Sequence, residues 1–324
     1  MTNTQCPNCK SPILADDRFC ENCGVPLIAE GLSPTTTCLK CGANDIDAEG
    51  YCAQCGFRNA PISDIASNER IKLVVSQRLA GVSDPGLKRD RNEDYLALQS
   101  LNDRHHVLVV CDGVSSSQAP EVAAKMAANT SCQYLVEAIP VGEDSELAMK
   151  KAIASALKAV CAIPYQSQRE EDHDPPSTTI VAASVQGTEV TIGWLGDSRA
   201  YWISGANIQQ LTEDDSWLND VVKSGKLSEI EARQSPQAHA ISRWLGKDAE
   251  NDAVPSVVKF TISSSGYLLL CSDGLWNYIH TPSHLAELVQ RYTDPNAIVL
   301  SEGLVEFARS QGGADNITVA ILSI

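Results

Sequence analysis

The sequence predicts an α+β fold: a mixed domain over residues 71–324, preceded by a small cysteine-rich domain over 1–57 and a linker over 58–70. Three observations carry this. Short apolar runs of strand length recur from residue 73 onward, several of them ending in Asp-Gly. Two segments, 120–138 and 146–162, have helical character, and in the second Leu147, Ala148, Ala152, Ile153, Ala156, Leu157 and Val160 recur at three or four residues. Eight of the twelve cysteines fall within the first 55 residues, all in C-x-x-C pairs.

The cysteine pairs are Cys6 and Cys9, Cys20 and Cys23, Cys38 and Cys41, Cys52 and Cys55. The first four superimpose on the second four after a shift of 32 positions, so the segment is an internal repeat of C-x2-C-x10-C-x2-C. Four thiolates at this spacing can surround one Zn2+ tetrahedrally, which gives two zinc sites. Gly24, Gly42 and Gly56 follow the second cysteine of a pair, where a tight turn favours them. Segments this short bury little apolar surface, so the metal must supply most of their folding energy. A disulfide scaffold and a rubredoxin-like iron site use the same spacing. Pairing within each repeat is the expected arrangement, and an interleaved one fits the same positions. The pattern resembles the double zinc ribbon over residues 6–57. Residues 1–60 hold four Lys/Arg against seven Asp/Glu, so the ribbon has no cationic footprint for nucleic acid. Docking, regulation or a structural role is expected instead. The segment "RNAPISDIASNER" reads as the linker.

The remaining strands are expected at 73–82, 107–111, 179–186, 189–195, 199–203, 257–262, 267–271 and 317–322. In "YLLLCSDGLW", residues 267–276, an apolar run without alternation enters Ser272, Asp273 and Gly274. Such a run reads as a strand buried on both faces. A lone carboxylate buried at its end is costly unless something neutralises it. The device recurs: "HVLVVCDG" ends in Asp112 and Gly113, "VTIGWLGDSRAYWI" carries Asp197, "GGADNITVAIL" places Asp315 before a strand, and "RDRNEDYLAL" places Glu93 and Asp94 before an apolar alternation. One such ending is an ordinary loop start. Five at the edges of core strands suggest convergence, and converging carboxylates need cations between them. Oxygen donors without His or Cys suit Mg2+ or Mn2+.

With these motifs in order ("RDRNED", "VCDGV", "STT", "GDSRAY", "LTEDDSW…HAISRWLG", "CSDGLW", "GGADNIT"), residues 70–324 resemble the metal-dependent protein phosphatases, the type 2C Ser/Thr family in its bacterial style. The resemblance implies a four-layer α-β-β-α sandwich whose cleft holds two Mn2+ or Mg2+ ions and a bridging water. It makes Asp112 the ligand of both metals and the Gly113 carbonyl a further ligand. Asp273 and Asp315 complete one shell, and Glu93 and Asp94 hold the other, partly through water. Asp197, with Asp273, matches a third and weaker metal position. Arg89 matches the phosphate-binding arginine, a guanidinium whose fork grips two phosphate oxygens; Arg91 and Lys88 are its neighbours and rivals for that role. Divalent metal lowers the pKa of bound water from about 15.7 to about 7, which provides a nucleophile at neutral pH. Substrates would be phosphoproteins made by a cognate Ser/Thr kinase.

The text "DGVSSSQAPE" departs from family members that carry a His after the first Asp-Gly, so the general acid is unassigned and a metal-bound water or a Ser is left to fill it. Cys111 and Cys271 are expected in the core. Residues 212–246 are the expected flap, with a short helix starting at the Ser228/Glu231 capping-box spacing, and His239 there is expected to have no catalytic part. Residues 166–177 read as an acidic loop, where His173 gives weak grounds for a stray metal site. The net charge of −16 opposes binding to nucleic acid or anionic membrane. The N-terminus has no signal-peptide pattern and no run reaches the roughly 18–20 apolar residues of a spanning helix, so a cytoplasmic protein is expected. The rival readings are a catalytically silent binding module and a nucleic-acid reader. Presence of every expected metal ligand argues against the first, and the acidic ribbon against the second.

Overall fold

The structure, a computed structural model, describes residues 4–5, 12–13, 70–165, 174–249, 253–292 and 294–324. The chain divides into two compact units, Met1–Asp64 and Ile65–Ile324. In the first, strand β1 (Thr4–Gln5) pairs antiparallel with β2 (Pro12–Ile13). The eight cysteines expected to bind zinc, residues 58–69 of the expected linker and His173 lie outside the described residues.

The second unit runs β3 (Ile71–Val74), β4 (Leu79–Asp84), β5 (Asp94–Asn102), β6 (His105–Asp112), α1 (Pro120–Ala138), α2 (Ser145–Cys161), β7 (Ser177–Thr178), β8 (Ile180–Gln186), β9 (Glu189–Leu195), β10 (Arg199–Ser204) and β11 (Asn207–Gln210). It continues through α3 (Trp217–Lys223), α4 (Glu229–Arg233), β12 (Leu245–Gly246), β13 (Ser256–Thr261), β14 (Tyr267–Cys271), α5 (Asp273–Trp276), α6 (Pro282–Gln290), α7 (Ala297–Ser310) and β15 (Ile317–Ser323). Two antiparallel sheets result, one in the order β13-β9-β8-β6-β5 and one in the order β11-β10-β14-β15-β4-β3.

Side-chain period sorts the core into three seams. In β6, Leu108 and Val110 face the seam between the sheets, while Val107, Val109 and Cys111 face α1 and α2. In β14, Leu268 and Leu270 enter the same inter-sheet seam, and Leu269 and Cys271 pack with α5, α6 and α7. Both strands therefore have two buried faces, which is why neither run alternates. The layers are α-β-β-α, as the resemblance implied. Close approach of α2 to its sheet is visible at Gly193, where a Cβ would lie 2.4 Å from Met149 Cγ.

The expected strand over 73–82 is instead two strands, β3 and β4. The backbone N–H groups of Val75 and Ser76 both donate to Leu79 O, at 3.0 and 3.1 Å, closing a hairpin inside the apolar run. The strand β5 follows the "YLAL" alternation. The flap segment holds α3 and α4, and the Ser228/Glu231 capping box closes with both of its hydrogen bonds. Its His239 is exposed. Among the described residues, no helix is long and apolar enough to cross a membrane.

Candidate active site

Register brings the acids together. Asp94 begins β5 and Asp112 ends β6, and the two are cross-strand partners. In the other sheet Cys271 is opposite both Arg199 and Val319. The end of β14 therefore lies beside the starts of β10 and β15. Asp273 follows β14, Asp197 precedes β10 and Asp315 precedes β15, so all three emerge at one end of the sandwich. A slip of one residue in any of these pairings would turn the acids to the opposite face.

The carboxylates feel one another. Burial first, then the charges of Asp94, Asp273, Asp197 and Asp315, push the Asp112 carboxyl well above the ordinary range. Burial with repulsion from Asp315 raises Asp273 to about 6, against hydrogen bonds to Asp112 and Asn277. Burial with repulsion from Asp273 and Asp214 raises Asp197 to about 8. Asp94 is raised to about 7 by burial and by Asp273 and Asp315, against the hydrogen bond from Ser272. Its Oδ2 accepts from Ser272 Oγ at 2.7 Å. Its Oδ1 is buried and takes no hydrogen bond among the described residues.

Arg89 is the cation at this cluster. Its Nη2 donates to Asp315 Oδ2 at 2.8 Å, and that hydrogen bond, with the charges of Asp315, Glu93 and Asp273, raises its pKa against the opposing effect of burial. Arg91 instead faces Glu93 and Glu121, at 3.7 and 3.5 Å. Glu93 is buried, its Oε2 accepting from Ser115 Oγ at 2.5 Å. Gly113 N–H donates to Glu93 O at 3.1 Å. A Cβ on Gly113 would sit 2.6 Å from Pro120 O and 2.7 Å from Glu93 O, so only glycine lets the loop close on α1.

Three supports were not read from the sequence. Asn316 holds the loop beside Asp315: its Oδ1 accepts from Glu93 N–H at 2.8 Å, and its Nδ2 donates to Pro85 O and Arg91 O at 3.1 and 2.9 Å. Trp276 Nε1 donates to Asp197 O at 2.9 Å, while the Arg199 guanidinium lies 3.7 Å from the Trp276 ring centroid. Ser115 belongs to the serine triplet read above as a deviation and as a candidate source of the general acid, not as a support for Glu93. The "DNIT" and "DGLW" spellings were the available signals for the first two.

The donors fit a hard divalent cation: they are oxygens, and one buried carboxylate oxygen lacks a partner. Among the described residues, no three His, Cys, Asp or Glu side chains are grouped so that they could hold a metal ion by themselves. An open arrangement agrees with ions such as Mg2+, which keep several waters and take few carboxylates.

Comparison with known proteins agrees with this geometry. Residues 6–56 match the family model for the double zinc ribbon. The chain is 31% identical to serine/threonine phosphatase stp of Listeria monocytogenes over 245 residues, which covers 74% of this chain and 93% of that protein. The solved serine/threonine phosphatase Stp1 from Staphylococcus aureus superimposes with a TM-score of 0.63 at 26% identity, covering 80% of this chain and 99% of that one. The catalytic domain of the phosphatase PstP, solved in complex with two manganese ions, superimposes with a TM-score of 0.56 at 26% identity, covering 76% of this chain and 98% of that one. The family model for protein phosphatase 2C matches residues 88–307, more than half of the chain and every acid of the cleft except Asp315. This chain belongs to the protein phosphatase 2C family of enzymes.

Proposed function

We propose that this chain is a metal-dependent protein serine/threonine phosphatase that hydrolyses phosphoserine and phosphothreonine. The reading is carried by the buried and half-buried carboxylates of Asp94, Asp112 and Asp273 at one end of the sandwich, each raised by desolvation and by its neighbours, with Asp94 Oδ1 unpartnered. Two Mn2+ or Mg2+ ions would be held by Asp112, the Gly113 carbonyl, Asp273 and Asp315 on one side and by Glu93, Asp94 and Asp112 on the other. A third, weaker ion would use Asp197 and Asp273. When bound, such cations would acidify a water to serve as the nucleophile and would offset the charge of the ester. The solved PstP domain with two manganese ions supports this count.

The chain's own residues do the rest. Arg89 binds the phosphate, its position fixed by Asp315. Asn316 and Ser115 hold Glu93 from its backbone and its side chain. Ser115 has its proton committed to Glu93, which leaves a water or another serine of the triplet to protonate the leaving alkoxide. Residues 1–57 form a separate domain with two Zn2+ ions, one per four-cysteine repeat, that docks substrates or regulates the 71–324 domain. Thiolate zinc sites persist in a reducing compartment, which supports a cytoplasmic location. The substrates are phosphoproteins made by a Ser/Thr kinase, not nucleic acid or membrane.

The test is turnover of p-nitrophenyl phosphate and of a phosphothreonine peptide with Mn2+. Wild type is expected to hydrolyse both and Asp273→Asn neither; metal-independent turnover, or none, would overturn the reading. Deleting residues 1–58 is expected to spare the small ester and slow a phosphoprotein, and equal effects on both would remove the docking role.

A further inference from the structure

Behind Asp94 lies a set of polar side chains buried in the apolar sandwich: Ser83, Asn92, Ser272 and Thr318, the most exposed of them Asn92 at 6%. None belongs to the metal-ligand set proposed above, and buried hydroxyls in such a place call for a reason. Their hydrogen bonds run in two lines that end on one residue. In the first, Asn92 Nδ2 and Thr318 Oγ1 both donate to Ser83 Oγ, at 2.8 and 2.7 Å. In the second, Thr318 N–H donates to Ser272 Oγ at 3.0 Å, and Ser272 Oγ donates to Asp94 Oδ2 at 2.7 Å. Asn92 Oδ1 also accepts from Asp94 N–H at 3.3 Å, so both lines return to the same residue.

Donor and acceptor counts give the second line a direction. A hydroxyl has one proton to donate, and an ionised carboxylate can only accept. Ser272 Oγ accepts from Thr318 N–H and donates forward to Asp94, while Asn92, anchored on Ser83, accepts from the Asp94 backbone.

We propose that Ser272 and Asn92, held in turn by the Thr318 N–H and by Ser83, are positioning residues, Ser272 on the carboxylate and Asn92 on the backbone of Asp94, which fix one orientation so that the unpartnered Oδ1 is kept for a divalent cation. The inference rests on the metal-dependent reading above and adds what fixes one acid for it. Groups that orient a metal ligand in this way typically contribute about 10–100-fold to metal affinity. The four come from β4, the β4–β5 loop, the β14–α5 junction and β15, so the device ties strands of one sheet to the first acid of the other.

The experiment is Mn2+ binding to the full chain, read as loss of the free-ion signal in electron paramagnetic resonance, with no turnover required. Ser272→Ala loses the hydroxyl on the carboxylate; Thr318→Val loses a buried hydroxyl whose bond ends on Ser83, and serves as the packing control. Ser272→Ala is expected to weaken binding by about tenfold or more, and Thr318→Val is expected to stay within about threefold of wild type. In turnover, the Mn2+ concentration for half-maximal rate is expected to rise in Ser272→Ala, with KM for the ester at saturating Mn2+ unchanged. Should Ser272→Ala fail to fold by circular dichroism, Ser272→Cys is read in its place and is expected to weaken binding as well. Wild-type binding in Ser272→Ala would overturn the proposal. So would equal weakening in Ser272→Ala and Thr318→Val, which would mean packing. If wild type binds no Mn2+, the metal reading fails together with the inference. If wild type binds and only Asp94→Asn is impaired, the metal reading stands and this inference alone falls.

Discussion

The domain buries acids in two ways. Asp84, 2% exposed, is held by Arg70 at 2.5 Å, by Arg309 at 2.5 Å and by the Gly86 N–H at 2.8 Å. Asp215, 7% exposed, is paired with Arg243 and accepts from Gly196 N–H at 3.0 Å. These carboxylates have their countercharge built in. Asp94 is buried and Asp112, Asp197 and Asp273 are half-buried beside one another, and Arg89 ion-pairs only with Asp315 among the acids of the cleft. The difference separates structure from site: an acid matched by arginine holds the fold, while acids left to repel one another await a cation that the chain does not encode.

Breaking the second kind should remove activity without loss of fold. Asp112→Asn is expected to lower turnover by about a hundredfold or more, since the shared ligand goes and the reacting groups lose alignment. In metal-free protein the same change is expected to leave the melting temperature unchanged or raised, because a repelling charge has been removed. Assays of rate and melting on one preparation check both.

Breaking the first kind should do the reverse. Asp84→Asn leaves Arg70 and Arg309, each about a quarter exposed, facing an amide. The expected cost is about 2 kcal/mol of stability, below the 3–5 of fully buried pairs because both arginines reach solvent. The urea midpoint measures it, and metal-saturated turnover below the transition is expected to change by less than about threefold.

The pH dependence sharpens the contrast. Asp273, Asp94 and Asp197 have folded-state pKa values of about 6, 7 and 8, all raised by burial and by their neighbours. A raised acid stabilises the fold fully at or below its unfolded pKa of about 4, and that contribution is lost as pH rises through the folded value. Chelated protein is therefore expected to melt at a falling temperature from about pH 4 to 8. Added Mn2+ is expected to raise it by an increment that grows with pH. An increment that shrinks as pH rises would contradict the cluster.

Much of this was legible in the chain. The double-buried runs ending at Cys111 and Cys271 announced strands between two apolar layers, and their Asp-Gly endings announced the acids. The strand 73–82 misled because Val75–Arg78 carries no glycine or proline to mark the hairpin; the turn is made by backbone N–H groups converging on Leu79 O. Ser272, Thr318, Ser115 and Asn316 were missed for a different reason. Ser272 meets Asp94 across 178 positions and Asn316 meets Glu93 across 223, and only strand register brings them together. A small polar residue next to an acid reads as a turn until its partner is known.

The most direct check is the stoichiometry of Mn2+ at pH 7.5, by isothermal titration calorimetry of the zinc-loaded full chain. Two tight sites per chain are expected, with binding lost in Asp112→Asn and retained in Asp215→Asn. A chain that takes up no Mn2+, or an Asp112→Asn variant that binds as wild type does, would contradict the account.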